Sequence, residues 1–346
     1  MTTSNRPTIL VDPKLEASTK VSVDNVIRDI EARSKGYRDE YLPLGEIQGL
    51  YYPDTNRFGL EVHGKPTNFT DHAYGQLISK VSRFSPREFN KLDPDLKSVV
   101  FSRDMINNPQ QKTDVLARYN REEVRGLLSN RYFKADIHKI LPQVVESFTK
   151  VNEEHRLVKY YNDDEYTAMR VVFPNITMGK GDRNIMLGLN FSTSDVGRSK
   201  LRYRYMIYKL ICTNGLISLY GDLFNLDIIH LGGETRLDAI RNQIAEGLDA
   251  KKFLSQGKLF MERYMELQKK KISDEMAKKM AMEAVKRLAL GQKATETILN
   301  IFNDNHGKSE GTRLDFVDAI TQFAHSQGLN VHAQENMEAQ ALALAA

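Results

Sequence analysis

Eight side chains between positions 198 and 209 have the types and spacing to hold a polyanion: Arg198, Lys200, Arg202, Tyr203, Arg204, Tyr205, Tyr208 and Lys209. Guanidinium and ammonium groups neutralise phosphates, and each phosphate neutralised makes affinity more sensitive to salt. Rings set between the cations stack on bases, at about 1–3 kcal/mol per base. Just upstream, Gly179-Lys-Gly-Asp182 is turn chemistry, and with Arg183 it offers Lys180 and Arg183 to the same surface. The candidate nucleic-acid-binding set is therefore Lys180, Arg183, Arg198, Lys200, Arg202, Arg204, Tyr205, Tyr208 and Lys209. The plainer alternative is a surface element whose tyrosines half-bury against a sheet. Tyr203 at least must pack inward.

Charge along the chain points the same way. The net charge is only +4, but residues 195–212 carry a net +4 and residues 251–293 a net +7, so the remainder is acidic. Segregation of this kind suits a polyanionic partner, although solvated helix faces have the same composition.

Other chemistry finds little support. The single cysteine, Cys212, excludes zinc sites built on cysteine pairs and an internal disulfide, which fits a reducing compartment. The eight histidines form no H-E-x-x-H, and there is no G-x-S-x-G. Gly59-Leu-Glu-Val-His-Gly64-Lys65 matches the start of a phosphate-binding loop, but Pro66 stands where a magnesium-binding Ser or Thr belongs. The same residues read better as the edge of a hairpin. Asp163-Asp164-Glu165 could hold a divalent cation, and a solvated loop explains it as well. The expectation is a protein with no catalytic residues, no metal and no cofactor.

The elements that would position these groups read as an α+β fold. Ile47–Tyr52 and Phe58–His63 flank Pro53-Asp-Thr-Asn56 as a hairpin. Thr70 caps an amphipathic helix with Ala73, Leu77, Ile78 and Val81 on one face, and Ser85-Pro86 opens another. Val115–Tyr119 and Val124–Leu128 read as short strands or strand–helix edges, and Asp136–Lys150 as a helix. Tyr166–Phe173 and Asn184–Phe191 read as antiparallel strands. Tyr203–Ile211 fits both periods. The stripe Tyr203, Met206, Ile207, Leu210, Ile211, followed by Asn214-Gly215, favours a helix with a left-handed cap. Thr235 to Asn303 reads as helical, and Thr312–Ser326 as the last helix. The expected organisation is a flexible arm over 1–39 with one short helix, Val23–Ala32, an α+β core over 40–230 with a hairpin-rich antiparallel sheet packed by helices, a helical region over 231–329, and a disordered tail over 330–346. No apolar run is long enough to span a bilayer and no leader is evident, so a cytoplasmic protein is expected.

Several stretches resemble the phage- and plasmid-encoded family designated domain of unknown function 932. They are Phe69-Thr-Asp-His-Ala-Tyr-Gly-Gln-Leu77, Val124-Arg-Gly-Leu-Leu-Ser-Asn-Arg-Tyr132, Asn190-Phe-Ser-Thr-Ser-Asp-Val-Gly197 and Leu210-Ile-Cys-Thr-Asn-Gly215, with Thr312–Phe323 similar to the family's closing helix. Phe191 interrupts the Asn-Ser pair that the family usually shows. The resemblance implies a mobile genetic element, hence replication, recombination or host takeover. More loosely, a hairpin-rich sheet followed by a basic helix is similar to single-strand annealing proteins, which oligomerise and bind DNA mainly through its backbone. The leading expectation is thus a single-stranded DNA-binding or annealing protein, with RNA as a second ligand, homo-oligomeric, and working beside host or phage replication proteins. The alternative is a protein–protein interaction module, an adaptor or inhibitor, docking through the Lys- and Met-rich 251–293 region.

Overall fold

Short apolar runs between turn formers build three sheets, and helices pack around them. The computed structural model describes residues 9–10, 23–150, 153–179, 184–209, 215–217, 225–230, 238–239, 242, 250–288, 290–291, 293–307 and 310–345. In chain order come β1 (Ile9–Leu10), α1 (Val23–Ser34), β2 (Tyr37–Pro43), β3 (Ile47–Tyr52), β4 (Arg57–Val62), β5 (Lys65–Pro66) and β6 (Asn68–Phe69). Helices α2 (Asp71–Val81), α3 (Pro86–Phe89) and α4 (Pro94–Ile106) precede β7 (Asp114–Asn120) and β8 (Glu123–Ser129). After α5 (Ile137–Lys150) come β9 (Arg156–Asn162), β10 (Thr167–Met178), β11 (Ile185–Thr193), β12 (Leu201–Lys209), β13 (Gly215–Ile217) and β14 (Asn225–Ile228). Helices α6 (Ala250–Glu266), α7 (Asp274–Arg287), α8 (Lys293–His306), α9 (Arg313–Ser326) and α10 (Val331–Ala345) follow. The fold is α+β, with sheets that are antiparallel except where β6 pairs parallel with β8, and a helical C-terminal region.

The first half closes over its own core. The β3–β4 hairpin pairs Ile47 with Val62 through to Tyr52 with Arg57, and Asn56 takes the left-handed conformation in its turn (φ 49°). The Gly59–Lys65 run is the far strand of this hairpin, turning at His63 and Gly64 into β5. It opens into no helix, so it forms no phosphate loop. Thr70 accepts the Ala73 N–H at the start of α2, and Ser85 with Glu88 forms a reciprocal cap on α3. Leu42, Ile47, Leu77, Phe89, Phe101 and Leu127 share one buried cluster.

The largest sheet runs in the order β1-β9-β10-β11-β12-β13, with β14 also pairing to β12. Met169, Val171, Phe173, Leu187, Tyr203 and Tyr205 belong to the main buried cluster. Phe253 of α6 lies 4.9 Å from the Phe173 ring and 5.5 Å from the Tyr205 ring. Gly257 lets α6 settle on the sheet, since a Cβ there would lie 2.3 Å from Leu187 Cδ2.

Three sequence expectations are corrected. Leu201–Lys209 is a strand, not a helix, paired with β11 from Ser192–Arg202 to Ile185–Lys209. Both periodicities were present, and the neighbouring strand decided between them by supplying partners for the backbone along the whole segment. Gly215 pairs with Tyr208 instead of capping a helix, while Leu210, Ile211 and Asn214 lie outside the described residues. The described parts of the 1–39 arm belong to the fold, with Ile9–Leu10 paired to β9 and α1 packed inward. Val26 and Ile30 of α1 are buried, and Arg33 donates to the Asn162 carbonyl at 2.8 Å. The third correction is the tail, which is the helix α10, with Met337, Ala341 and Leu342 buried. Its alanines favour helix and let it approach closely, but its inward acids look solvent-facing in the sequence.

Those acids meet a polar row on the sheet. Lys159, Arg170, Asn190 and Arg204 stand directly opposite one another on β9 to β12. Lys159 donates to Gln334 of α10 at 2.9 Å. Arg170 donates to Asn190 at 3.1 Å and to both carboxylate oxygens of Glu338, at 3.2 and 2.7 Å. Burial, then the neighbouring Arg170, pulls the Lys159 ammonium down to about 8 from 10.5. Between those values Lys159 holds more protons in the unfolded chain, so its own contribution to stability rises with pH from about 8 to about 10.5. The Lys159→Met variant should be more stable than the parent at pH 7, by up to about 3 kcal/mol on the scale of 1.4 kcal/mol per pKa unit, and this gap should narrow by pH 10. The buried tyrosines, whose hydroxyls are pushed up by burial, lower the stability of both proteins alike as pH rises, so the difference between the two is the readout. Urea melts of both at pH 7 and pH 10 check it, and a gap that does not narrow refutes it.

Candidate functional site

The β11–β12 loop is tied down before it reaches the surface. The Asp195 carboxylate accepts the Ile137 N–H at 3.1 Å and lies 3.5 Å from the Arg125 guanidinium, while its carbonyl accepts from Arg118 at 2.7 Å. The Val196 carbonyl accepts from Gln76 of α2 at 2.9 Å and lies 3.0 Å from His72 Nε2, which must carry the proton to bond it. The other end of the Gln76 amide accepts the Leu127 N–H of β8 at 2.7 Å. Tyr132 donates to the Ser194 carbonyl at 3.0 Å. Gly197 then turns the chain with φ 78°, where a Cβ would lie 2.7 Å from Leu128 Cδ2. This anchoring sets Arg198, Ser199 and Lys200 on the rim of a cleft of about 570 Å³.

The lining of the cleft mixes cationic and apolar side chains. Lys80, Arg198, Lys200 and Arg202 line it together with Leu127, Leu128 and Ile229, and no carboxylate is among its lining residues. Tyr132 and His230 stack within it, with ring centroids 5.2 Å apart and planes 4° from parallel. Burial pushes the Lys80 ammonium below its ordinary value, and no acid pairs with it among the described residues. Lys200 is exposed and likewise has no ion pair among them. Arg202 donates to Asn336 of α10 at 3.1 Å, and Arg198 lies 3.8 Å from Glu165 outside the cleft. His332, at the start of α10, is pushed below its ordinary value by burial and then by Arg202 and Arg198. Burial is the larger cause, and the two arginines, with the amino end of the helix, add positive potential there.

The predicted residues separate sharply. Arg198, Lys200 and Arg202 converge on the cleft. Arg204 does not, because it is buried and bound to Asp227 by one amino group at 2.6 and 2.7 Å. Tyr205 and Tyr208 do not either. Tyr205 is fully buried and donates to the Phe253 carbonyl at 3.2 Å, and Tyr208 packs with Met186 and Met206. Stacking on bases is therefore closed to both tyrosines. A strand buried on both faces takes its rings inside whichever way they alternate. Lys209 has its backbone in β12, while its side chain, like Lys180 and Arg183, lies outside the described residues.

No family model, no curated protein and no solved structure matches this chain.

Sequence reasoning missed Lys80, Gln76, Tyr132, Ile229 and His332, which are far from residue 198 along the chain and carry no joint signal. The stretches 69–77, 124–132 and 190–197, far apart along the chain, supply Gln76, Leu127, Leu128, Tyr132 and Gly197 to this one cleft.

The other candidates disperse. Asp163 accepts the backbone N–H groups of Glu165 and Tyr166 at 2.8 and 2.7 Å, Asp164 lies 3.4 Å from Arg33, and Glu165 faces Arg198. Among the described residues no cluster of three His, Cys, Asp or Glu could hold a metal. Several cations of 251–293 form local surface pairs, Lys269 with Glu266 and Arg287 with Glu283, and none of that region lines the cleft. No described helix is long and apolar enough to cross a membrane.

Proposed function

We propose that this protein binds single-stranded nucleic acid, holding its phosphates in the cleft lined by Lys80, Arg198, Lys200 and Arg202. The observation that carries the reading is four cations on one concave surface with no carboxylate among the lining residues. A half-buried lysine without an acid partner is costly unless an anion arrives, because burial disfavours its charged form. The annealing of complementary strands in recombination or replication, by a homo-oligomer, is the use that the resemblance implies. Backbone contact carries the affinity in this reading, and Tyr205 and Tyr208 have no part in it.

The test is a mobility shift with a 30-nucleotide single strand at two salt concentrations. Arg198→Glu/Lys200→Glu alters two exposed residues, and its melting temperature should stay close to that of the parent. Affinity should fall at least tenfold at low salt. The slope of log K against log salt should flatten by about 1.4, at about 0.7 for each phosphate that is no longer neutralised. A parent that shows no binding at low salt, or a variant with unchanged affinity, rejects the proposal.

A second reading rests on a different surface. Leu96, Val99 and Ile106 are 45, 64 and 71% exposed along α4, as a docking face for another protein would be. The same variant separates the two, since a protein-binding role leaves oligonucleotide affinity absent or insensitive to residues 198 and 200.

A further inference from the structure

We infer that the cleft also seats one unstacked base, against an apolar wall made by Ile229 and Leu128. This rests on the nucleic-acid reading and deepens it, from backbone binding to selection of single over double strands. The tyrosines assigned to bases by sequence lie in the interior, so a strand held at this cleft needs another surface for its rings. Ile229 supplies one. It is 47% exposed and lines the same cleft as Arg198, Lys200 and Arg202. Leu128 and the Tyr132–His230 ring pair continue that wall inward.

Size agrees with this assignment. At about 570 Å³ the cleft lies within the range of about 300–1,000 Å³ that small-molecule sites occupy. A nucleotide unit has the matching two-sided chemistry, with an anionic phosphate for the cationic rim and a flat, weakly polar ring for the apolar wall. In a duplex the bases are paired and stacked on one another, and reaching such a recess would require flipping one out, at a cost of a few kcal/mol. A single strand offers its bases free of pairing. The cations then provide affinity for either form, and the Ile229 wall provides preference for the unpaired one.

The experiment uses the full chain and a thymidine 15-mer carrying one 2-aminopurine, beside a duplex of the same length and a free mononucleotide. In the parent, 2-aminopurine fluorescence should change on saturation, and the single strand should bind more tightly than the duplex. Ile229→Ser should lose five- to tenfold in single-strand affinity and most of the fluorescence change. Its duplex affinity, salt slope and melting temperature should stay those of the parent, and Ile229→Met should restore binding. Single-strand affinity indifferent to Ile229, with the salt slope intact, overturns this inference alone. Equal loss for single strand and duplex also overturns it. A mononucleotide that binds as tightly as the 15-mer overturns it too, and makes small nucleotides the ligand. If the parent binds no oligonucleotide at low salt, the cleft's nucleic-acid role falls with it.

Discussion

Replacing Arg118 with Met should destabilise the protein by about 3–5 kcal/mol, the cost of removing one partner from a buried ionic network. The guanidinium is buried and donates to Asp39 at 2.9 Å, to Asp136 at 2.5 Å and to the Asp195 carbonyl at 2.7 Å. Burial alone would make it easier to deprotonate, and Asp136, Asp195 and Asp39 outweigh that and raise its value. Methionine fills similar space and answers none of the three acceptors. Some compensation remains, because Lys139 lies 3.2 Å from Asp136 and Lys134 lies 3.1 Å from Asp39, so the lower part of the range is expected.

The pH dependence of that loss has a definite sign. Burial raises the Asp136 carboxyl, and Arg118 overrides it, leaving Asp136 below its ordinary value. A depressed carboxylate contributes stability that is present above its unfolded value, about 4, and is lost as pH falls through the folded one. The gap between parent and Arg118→Met should therefore be widest near pH 7 and narrow below pH 4. Urea midpoints at pH 7 and pH 3 measure it, and a gap that stays constant or widens in acid contradicts this account. The same variant should weaken oligonucleotide binding, since Arg118 holds the carbonyl three residues before Arg198.

The second large effect lies under the C-terminal helix. Arg170→Met and Glu338→Leu, each alone, should destabilise by about 3–5 kcal/mol, because each takes from a buried charge its main partner, leaving Glu338 with His325 at 2.9 Å or Arg170 with Asn190 and the more distant Glu335. Both residues are buried, and the pair is joined by two hydrogen bonds. Burial raises the Glu338 carboxyl, and Arg170 and His325 bring it below its ordinary value. Its neighbour Glu335 goes the other way. Burial raises it, and Arg170, 4.0 Å off, together with the Tyr166 hydroxyl, does not bring it back. One guanidinium thus neutralises one carboxylate, and that carboxylate is Glu338. The double variant should recover most of the loss, since exchanging a buried ion pair for apolar groups of similar volume is often close to neutral. A double-mutant cycle gives the coupling. Simple additivity of the two losses would show that α10 docks through its alanines and leucines, and not through this pair.

How far the site was legible before folding depends on distance along the chain. Arg198, Lys200 and Arg202 announce themselves by local composition, and the structure keeps them together at one rim. Arg204 is identical in type and only two residues from Arg202. Asp227 neutralises it, and a pairing across 23 positions leaves no local trace. The tyrosines fail for a related reason. An alternating strand and a helical stripe both expose some ring on paper, and only the layers on either side show that no ring is outside.

The sequence by itself determined the local grammar of this protein: the hairpin turn at Pro53–Asn56, the caps at Thr70 and Ser85, the helix that opens at Thr312, and the antiparallel β10–β11 pair. Each rests on residues a few positions apart, or on a period that one segment carries alone. Tertiary structure decided that 201–209 is a strand, that 331–345 is a docked helix, and which cations are free. Those outcomes turn on partners tens to hundreds of residues away. A backbone with two available periods takes the one its neighbour can hydrogen-bond, and a charge is buried or exposed according to whether an opposite charge arrives beside it.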